Sequence, residues 1–220
     1  MMLLDGKKVS EVRRELLKPR VEAFKKATGR APSLTVLLVG EHLPSQVYVR
    51  NKVKACESVG LSSQVLRLPA DISVADFKAQ LAQLEADPKI DGLLVQLPLP
   101  DQLKSVDLGT ELSDHKDSDG FTYGNLGLMI GGRLRVAPCT PMGVMSILKH
   151  YNIPVEGKHA VVVGRSLIVG KPMSILLLEA NATVSVCHSK TKDLHEITRQ
   201  GDIVVVAAGK RGFLGKEAFK

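Results

Sequence analysis

Apolar positions along this chain switch repeatedly between a strand period and a helix period. Residues 9–28 have helical spacing with Lys and Arg on the opposite face, and Pro19 is expected to kink or divide that helix. Residues 33–39 form a β-branched apolar run that ends at Gly40 and reads as a buried strand. Ser45 is placed to cap a helix that runs to Val59, where Gly60 supplies the stop. Residues 63–68 alternate like a second strand. Residues 73–87 form the next helix, with Ser73 and Asp76 as a capping box. A third strand, 92–96, is closed by Pro98 and Pro100. This alternation predicts an α/β unit on a parallel sheet.

Residues 101–139 are less regular. They hold the polar cluster Asp114-His-Lys-Asp-Ser-Asp-Gly120 and the glycines 124, 127, 131 and 132, and read as functional loop plus linker. Thr140-Pro141 then provides a cap followed by proline at the first helical position, for a helix to about His150. A second α/β series follows: strand 159–163, helix 171–180, strand 182–187, helix 192–200 and strand 202–207. The expected division is a domain over 1–120, a linker over 121–139 and a second domain over 140–220. A doubly wound nucleotide-binding domain normally has a second half, so the second domain, which stops in what reads as a new helix at Lys220, is expected to be either incomplete or unusually short.

The chain has 220 residues, 44% of them hydrophobic, with no Trp and three Tyr. So few aromatic rings argue against a base-stacking surface for nucleic acid. The formal charge of +7 comes from cations spread among acids, with no basic block, and an anionic small molecule accounts for it. Cys56, Cys139 and Cys187 are widely spaced and form no C-x-x-C, which fits a reducing, cytoplasmic setting. The start, Met1-Met-Leu-Leu-Asp-Gly-Lys-Lys8, is too short and charged for a secretory signal. No apolar run approaches the roughly 20 residues that span a bilayer. The six histidines show no metal-binding spacing, and there is neither a G-x-S-x-G elbow nor a P-loop.

The segment Ala160-Val-Val-Val-Gly-Arg-Ser-Leu-Ile-Val-Gly-Lys-Pro172 reads as strand, tight turn and helix start. Amides at a helix start suit a pyrophosphate. The spacing only half meets G-x-G-x-x-G, and a packing pair of glycines that binds nothing is the alternative. Arg165 and Ser166 occupy the turn, where they can meet an additional phosphate. An acidic residue about 20 positions on would favour NAD. Here the next strand ends in Cys187-His-Ser-Lys190 with no carboxylate, which favours NADP, although Lys190 could be an ordinary surface charge.

Tyr48 and Lys52 are four apart on one helix face. A lysine beside a partly apolar cleft can act as base or proton relay. Taken alone, the pair reads more readily as a core aromatic and a surface charge. Gln96 ends a strand, where ligand crevices open in α/β sheets, and a neutral amide there can hold a lysine without locking it in its charged form. Asp119 can accept paired N–H donors from a guanidine-like ring edge, or form an Asx turn, though Asp117 is the better turn-former.

Taken in order, Pro44-Ser-Gln-Val-Tyr-Val-Arg-Asn-Lys52, Asp91-Gly-Leu-Leu-Val-Gln-Leu-Pro-Leu-Pro100 and Lys116-Asp-Ser-Asp-Gly-Phe121 carry a resemblance, continued by Pro138-Cys-Thr-Pro-Met-Gly143, the 163–172 turn, Cys187-His-Ser-Lys-Thr191 and 202–210. Over nearly its whole length the chain resembles the bifunctional methylenetetrahydrofolate dehydrogenase/cyclohydrolase family. The resemblance implies an N-terminal parallel-sheet α/β domain for folate and a Rossmann-like NADP-binding domain. It matches Lys52 to the catalytic lysine, Tyr48 to the tyrosine on the aminobenzoyl ring, and Gln96 to the glutamine that tunes the lysine. It matches Asp119 to the pterin-binding aspartate and puts Pro98 at the substrate. Gly164, Arg165, Ser166 and Gly170 match the NADP turn, and Ser189 approaches the adenosine ribose. The spacings, 44 positions from Lys52 to Gln96 and 23 from Gln96 to Asp119, keep the family's register.

Departures are Ser118 for the usual valine, Thr122-Tyr-Gly-Asn125 for His-Pro-x-Asn, and Arg211 for proline. The family's Pro-Val-Pro-Gly-Gly segment and long final helix are not among these residues. The resemblance implies oxidation of 5,10-methylenetetrahydrofolate with NADP, hydrolysis of the methenyl product to 10-formyltetrahydrofolate, and a homodimer through the second domain, without nucleic acid or membrane partners. The competing readings are a non-catalytic folate- or nucleotide-binding protein and a shikimate-type dehydrogenase; the latter leaves Tyr48, Lys52 and Gln96 together unexplained.

Overall fold

β-branched runs form two separate parallel sheets in the computed structural model, which describes residues 2–220. These residues divide into two units, 10–123 and 2–9 with 124–220.

The 10–123 unit takes most of α1 (Gly6–Thr28) and then alternates β1 (Ser33–Val39), α2 (Leu43–Val59), β2 (Ser62–Leu68), α3 (Val74–Ala86) and β3 (Gly92–Val95). The sheet order is β2-β1-β3, parallel throughout. Its central strand is covered on both faces, which is why it reads as a continuous apolar run. Leu37, Val39, Leu93 and Val95 pack with Phe77 and Leu81 of α3 and with Leu103 and Phe121; Val36, Leu38 and Leu94 pack with Val49 of α2. The expected break at Pro19 does not occur, because Pro19 lies inside an unbroken α1. Val21, just beyond it, is buried, and that burial holds the helix in line despite the missing hydrogen bond.

Ser73 caps α3 as expected, accepting from the Asp76 amide at 3.0 Å. Gly60 ends α2 at φ 81°. Ser45 does not cap α2: the helix starts at Leu43 after His42, with Pro44 in its first turn, and leaves Ser45 buried within it. A short α4 (Leu108–Glu111) is capped by the Asp107 carboxylate.

The 101–139 segment, expected to be loop and linker, contains a helix, α5 (Tyr123–Ile130). Gly124 and Gly127 lower its intrinsic propensity, and tertiary packing overrides them. Leu126 and Met129 join the core of the second unit with Leu148, Met173 and Leu177. That unit continues with α6 (Cys139–His150), β4 (His159–Val163), α7 (Gly170–Glu179), β5 (Thr183–Cys187), α8 (Leu194–Gln200) and β6 (Ile203–Val206). α6 begins at Cys139 behind Pro138, so Thr140 is inside the helix and not its cap. The sheet order is β5-β4-β6, again parallel. Residues 216–218 form a single 3-10 turn. Among the described residues no helix is long and apolar enough to cross a membrane.

Candidate active site and cofactor turn

Parallel strands leave their carboxyl ends on one side of the sheet. In the 10–123 unit, Gln96 follows β3 directly and donates its backbone N–H to Leu37 O at 2.9 Å. Its side-chain Nε2 donates to Leu97 O at 2.7 Å. The Oε1 of Gln96 is buried and accepts no hydrogen bond. A buried acceptor left this way costs about 1–3 kcal/mol, so a donor arriving there recovers free energy. Pro98 follows in a cis peptide and lies exposed beside this turn.

The start of α2 is fastened to the same turn. Ser45 Oγ donates to Leu97 O at 3.4 Å and sits 2.8 Å from His42 Nδ1. Ser45, Tyr48, Val49 and Lys52 fall at i, i+3, i+4 and i+7, a single helix face. The face that carries Tyr48 and Lys52 is therefore the one whose first turn meets the Gln96–Leu97 segment. Tyr48 is 65% exposed and so is not the core aromatic of the alternative reading; Val49 fills the core beside it. Lys52 is half-buried. Burial pushes the Cys56 thiol, one turn on, above its ordinary pKa; Glu57 adds to this and the Lys52 charge opposes it.

Asp119 lies in a loop that is tied to β3 at Leu93. Asp117 forms an isolated parallel bridge with Leu93. Leu93 N donates to Lys116 O at 2.7 Å, and Ser118 N donates to Leu93 O at 3.3 Å. After the bridge the chain bends through residues 118–120, so Asp119 lies two residues beyond the point where the loop is tied to β3. The Asx turn belongs to Asp117, which is 2% exposed and accepts from Gly120 N at 2.8 Å and Thr122 N at 2.9 Å. Gln96 and Pro98 thus stand at the carboxyl end of β3, with the α2 face that carries Tyr48 and Lys52 fastened to the same turn. Pattern reading assigned Ser45 only a capping role; its i, i+3 relation to Tyr48 was the available signal for its place on this face.

In the second unit three strand ends lie side by side. Gly164 N donates to Cys187 O at 2.8 Å, and Ala207 N to Val163 O at 2.7 Å. Gly164 has φ 131°, and a Cβ there would stand 2.6 Å from Ala207 O. A Cβ on Gly170 would stand 2.7 Å from Arg165 Cα and collide with Gly164 O. Both glycines are therefore required for the turn to close against the strand ends and the start of α7. The open amides expected at that helix start are largely engaged. Ser166 Oγ accepts from Val169 N at 3.2 Å and Gly170 N at 3.3 Å, Ser166 O accepts from Lys171 N at 3.0 Å, and Pro172 has no N–H. Arg165, Ser166 and Ser189 are exposed. The turn after β5 is held by His188 N donating to Thr191 Oγ1 at 2.8 Å and by Lys190 N donating to His188 Nδ1 at 3.2 Å. No carboxylate occurs in that turn, and the loops around it carry Arg165, Lys190, Lys192, Lys210 and Arg211.

Residues 4–119 match the tetrahydrofolate dehydrogenase/cyclohydrolase catalytic domain, and residues 138–220 match the NAD(P)-binding domain of the same enzymes. The chain is 54% identical over 220 residues to the bifunctional protein FolD of Bdellovibrio bacteriovorus, covering all of this chain and 76% of that protein. It is 49% identical over 218 residues to FolD of Paraburkholderia phytofirmans, covering 99% of this chain and 76% of that one. Among solved structures, the bifunctional FolD methylenetetrahydrofolate dehydrogenase/cyclohydrolase of Campylobacter jejuni superposes with a TM-score of 0.95 at 45% identity, over 100% of this chain and 78% of that one. The Trypanosoma brucei FolD complexed with NADP cofactor and inhibitor gives 0.93 at 32% identity, over 100% and 75%. The chain belongs to the tetrahydrofolate dehydrogenase/cyclohydrolase family.

Proposed function

We propose that this chain oxidises 5,10-methylenetetrahydrofolate to the 5,10-methenyl cation with NADP and hydrolyses that product to 10-formyltetrahydrofolate. The observation that carries the reading is Gln96. Its buried, donor-free Oε1 stands at the end of β3, with the Lys52 face of α2 fastened to the same turn and the loop that carries Asp119 bridged to the same strand.

In the hydrolysis, water oxygen bonds to the one-carbon bridge, the bond from that carbon to N5 breaks, and N5 regains a proton. One proton is released overall. Lys52 takes the proton from water and returns one to N5, as a general base and then acid. Gln96 holds the Lys52 amine through an acceptor that favours no fixed charge. Asp119 accepts the paired N–H donors of the pterin edge, as carboxylates accept guanidinium groups. Tyr48 presents an exposed ring to the aminobenzoyl group, and Pro98 lines the same turn.

The cofactor turn fits a dinucleotide, since Gly164 and Gly170 let it close tightly against the strand ends and the start of α7, as a strand–turn–helix phosphate site requires. When bound, NADP is the two-electron acceptor for the one-carbon unit. Gly164 and Gly170 let its backbone approach, Arg165 and Ser189 meet the 2′-phosphate, and Ser166 holds the turn while keeping its hydroxyl hydrogen free to donate. The turn His188-Ser-Lys-Thr191 directly after β5 has no carboxylate to repel that phosphate. We take the protein to act in the cytoplasm, in keeping with three widely spaced cysteines outside any disulfide, and as a homodimer through the second unit, as the resemblance implies.

A coupled assay tests the whole. Methylenetetrahydrofolate is supplied with NADP⁺ or NAD⁺, and NADPH formation and methenyl decay are followed together. Formation of NADPH and then loss of the methenyl absorbance is expected; absence of both with intact substrate would refute the assignment.

A further inference from the structure

Asp119 has no rigid element of its own; it sits in a loop whose placement is set elsewhere. Lys116 Nζ donates to three carbonyls at the end of α3: Leu84 O at 3.1 Å, Glu85 O at 2.7 Å and Asp87 O at 2.7 Å. Carbonyls in a last helical turn lack intrahelical donors, and a cation there also meets the negative end of the helix dipole. An ammonium has three N–H donors, and all three are engaged. Its charge is therefore committed to α3 and not offered to a ligand. The backbone of the same residue is fixed to the sheet, since Lys116 O accepts from Leu93 N at 2.7 Å.

Two further ties act on the same loop. Glu85 accepts from Ser113 N at 3.0 Å and from Ser113 Oγ at 2.6 Å. Ser118 Oγ donates to Leu93 O at 2.7 Å, the carbonyl that also accepts from Ser118 N. The loop is thus held to α3 on one side and to β3 on the other, immediately before Asp119.

We propose that Lys116 is a positioning residue for folate binding: through its grip on the end of α3 it fixes the loop from which Asp119 projects, with Ser118 as the second tie. This rests on the reading that Asp119 holds the pterin edge.

The test uses the full chain with three substitutions. Asp119→Asn checks the underlying reading by isothermal titration with 5-formyltetrahydrofolate. Lys116→Met is expected to raise KM for methylenetetrahydrofolate by about tenfold or more, because small misplacements of a binding group are costly. Its kcat at saturating folate and its NADPH dissociation constant stay at wild-type values. Lys116→Arg, which keeps the charge and the donors, recovers most of the loss. Should Lys116→Met not fold, Ser118→Ala carries the test. It removes one hydroxyl, leaves the backbone bridge, and is expected to raise KM by about threefold at an unchanged melting temperature. An unchanged folate KM in the folded variants overturns the proposal, as does a loss confined to kcat and thermal stability. If Asp119→Asn leaves titration unchanged, the Asp119 reading fails and the proposal with it. If Asp119→Asn weakens binding while the other variants do not, the positioning role alone fails.

Discussion

The carbonyl oxygen of Ala207 lies 2.6 Å from where a Cβ on residue 164 would stand, so the strand end of β6 and the turn after β4 exclude any side chain between them. Gly164→Ala must push Ala207 away and also adopt φ 131°, a backbone region side chains rarely occupy. We expect NADPH affinity to fall by about tenfold or more, since strained turns lose their binding geometry. Titration of NADPH fluorescence measures this, and folate titration serves as the control that stays unchanged.

Lys52→Met should separate the two reactions from cofactor binding. Removing a general acid–base group costs about 10²–10⁴ in rate. Methenyl decay is expected to slow by that range, with NADPH fluorescence titration unaltered. A variant that hydrolyses methenyltetrahydrofolate normally would remove Lys52 from its role.

Arg165→Ala tests cofactor choice. A charge-assisted contact to phosphate is directional and strong, and the turn after β5 has no carboxylate to support NAD instead. The ratio of kcat/KM for NADP⁺ to that for NAD⁺ should drop by about tenfold. A ratio that does not move would place the 2′-phosphate elsewhere.

Arg30 and Asp91 set an acid limit on the first unit. Arg30 NH1 and NH2 reach the two Asp91 oxygens at 2.6 and 2.8 Å, and Ser33 N adds a bond at 2.8 Å. The Arg30 hydrogen bond foremost, then the Ser33 amide and the Arg30 charge, hold the Asp91 carboxyl below its ordinary 3.8. A lowered carboxyl stabilises the fold fully above the unfolded value and loses that contribution as pH falls through the folded one. Asp91→Asn should therefore lower the melting temperature at neutral pH, and the gap from wild type should close as the pH drops below 3.8. Melting curves across that range check it, and a gap that widens in acid would contradict the assignment.

Both sheets were legible because β1 and β4 are buried on two faces and can only be apolar and β-branched. Ser73 and Gly60 announced their caps for the same local reason. α5 was not legible, since Gly124 and Gly127 argue against a helix, and only Leu126 and Met129 packing into the second core forms one. Pro19 misled in the opposite sense, because burial of Val21 outweighs the lost bond. For the proposed site, chain order offered Lys52, Gln96 and Asp119 as candidates. It did not reveal that Tyr48 stands in solvent, that Ser45 ties α2 to Leu97, or that Lys116 is spent on α3. Those depend on which distant carbonyl each donor meets, and no local pattern records that.

Ser166 closes the cofactor turn on itself before anything binds. Two consequences follow from those internal bonds. The turn is preorganised, so little chain entropy is lost when a dinucleotide arrives. The three amides it occupies, of Val169, Gly170 and Lys171, are no longer available to a phosphate, so attraction to Arg165 and the neighbouring lysines is expected to carry more of the binding. Attraction between exposed charges is screened by dissolved ions. Cofactor affinity is therefore expected to fall as ionic strength rises, so that salt acts on the same contact that Arg165→Ala removes.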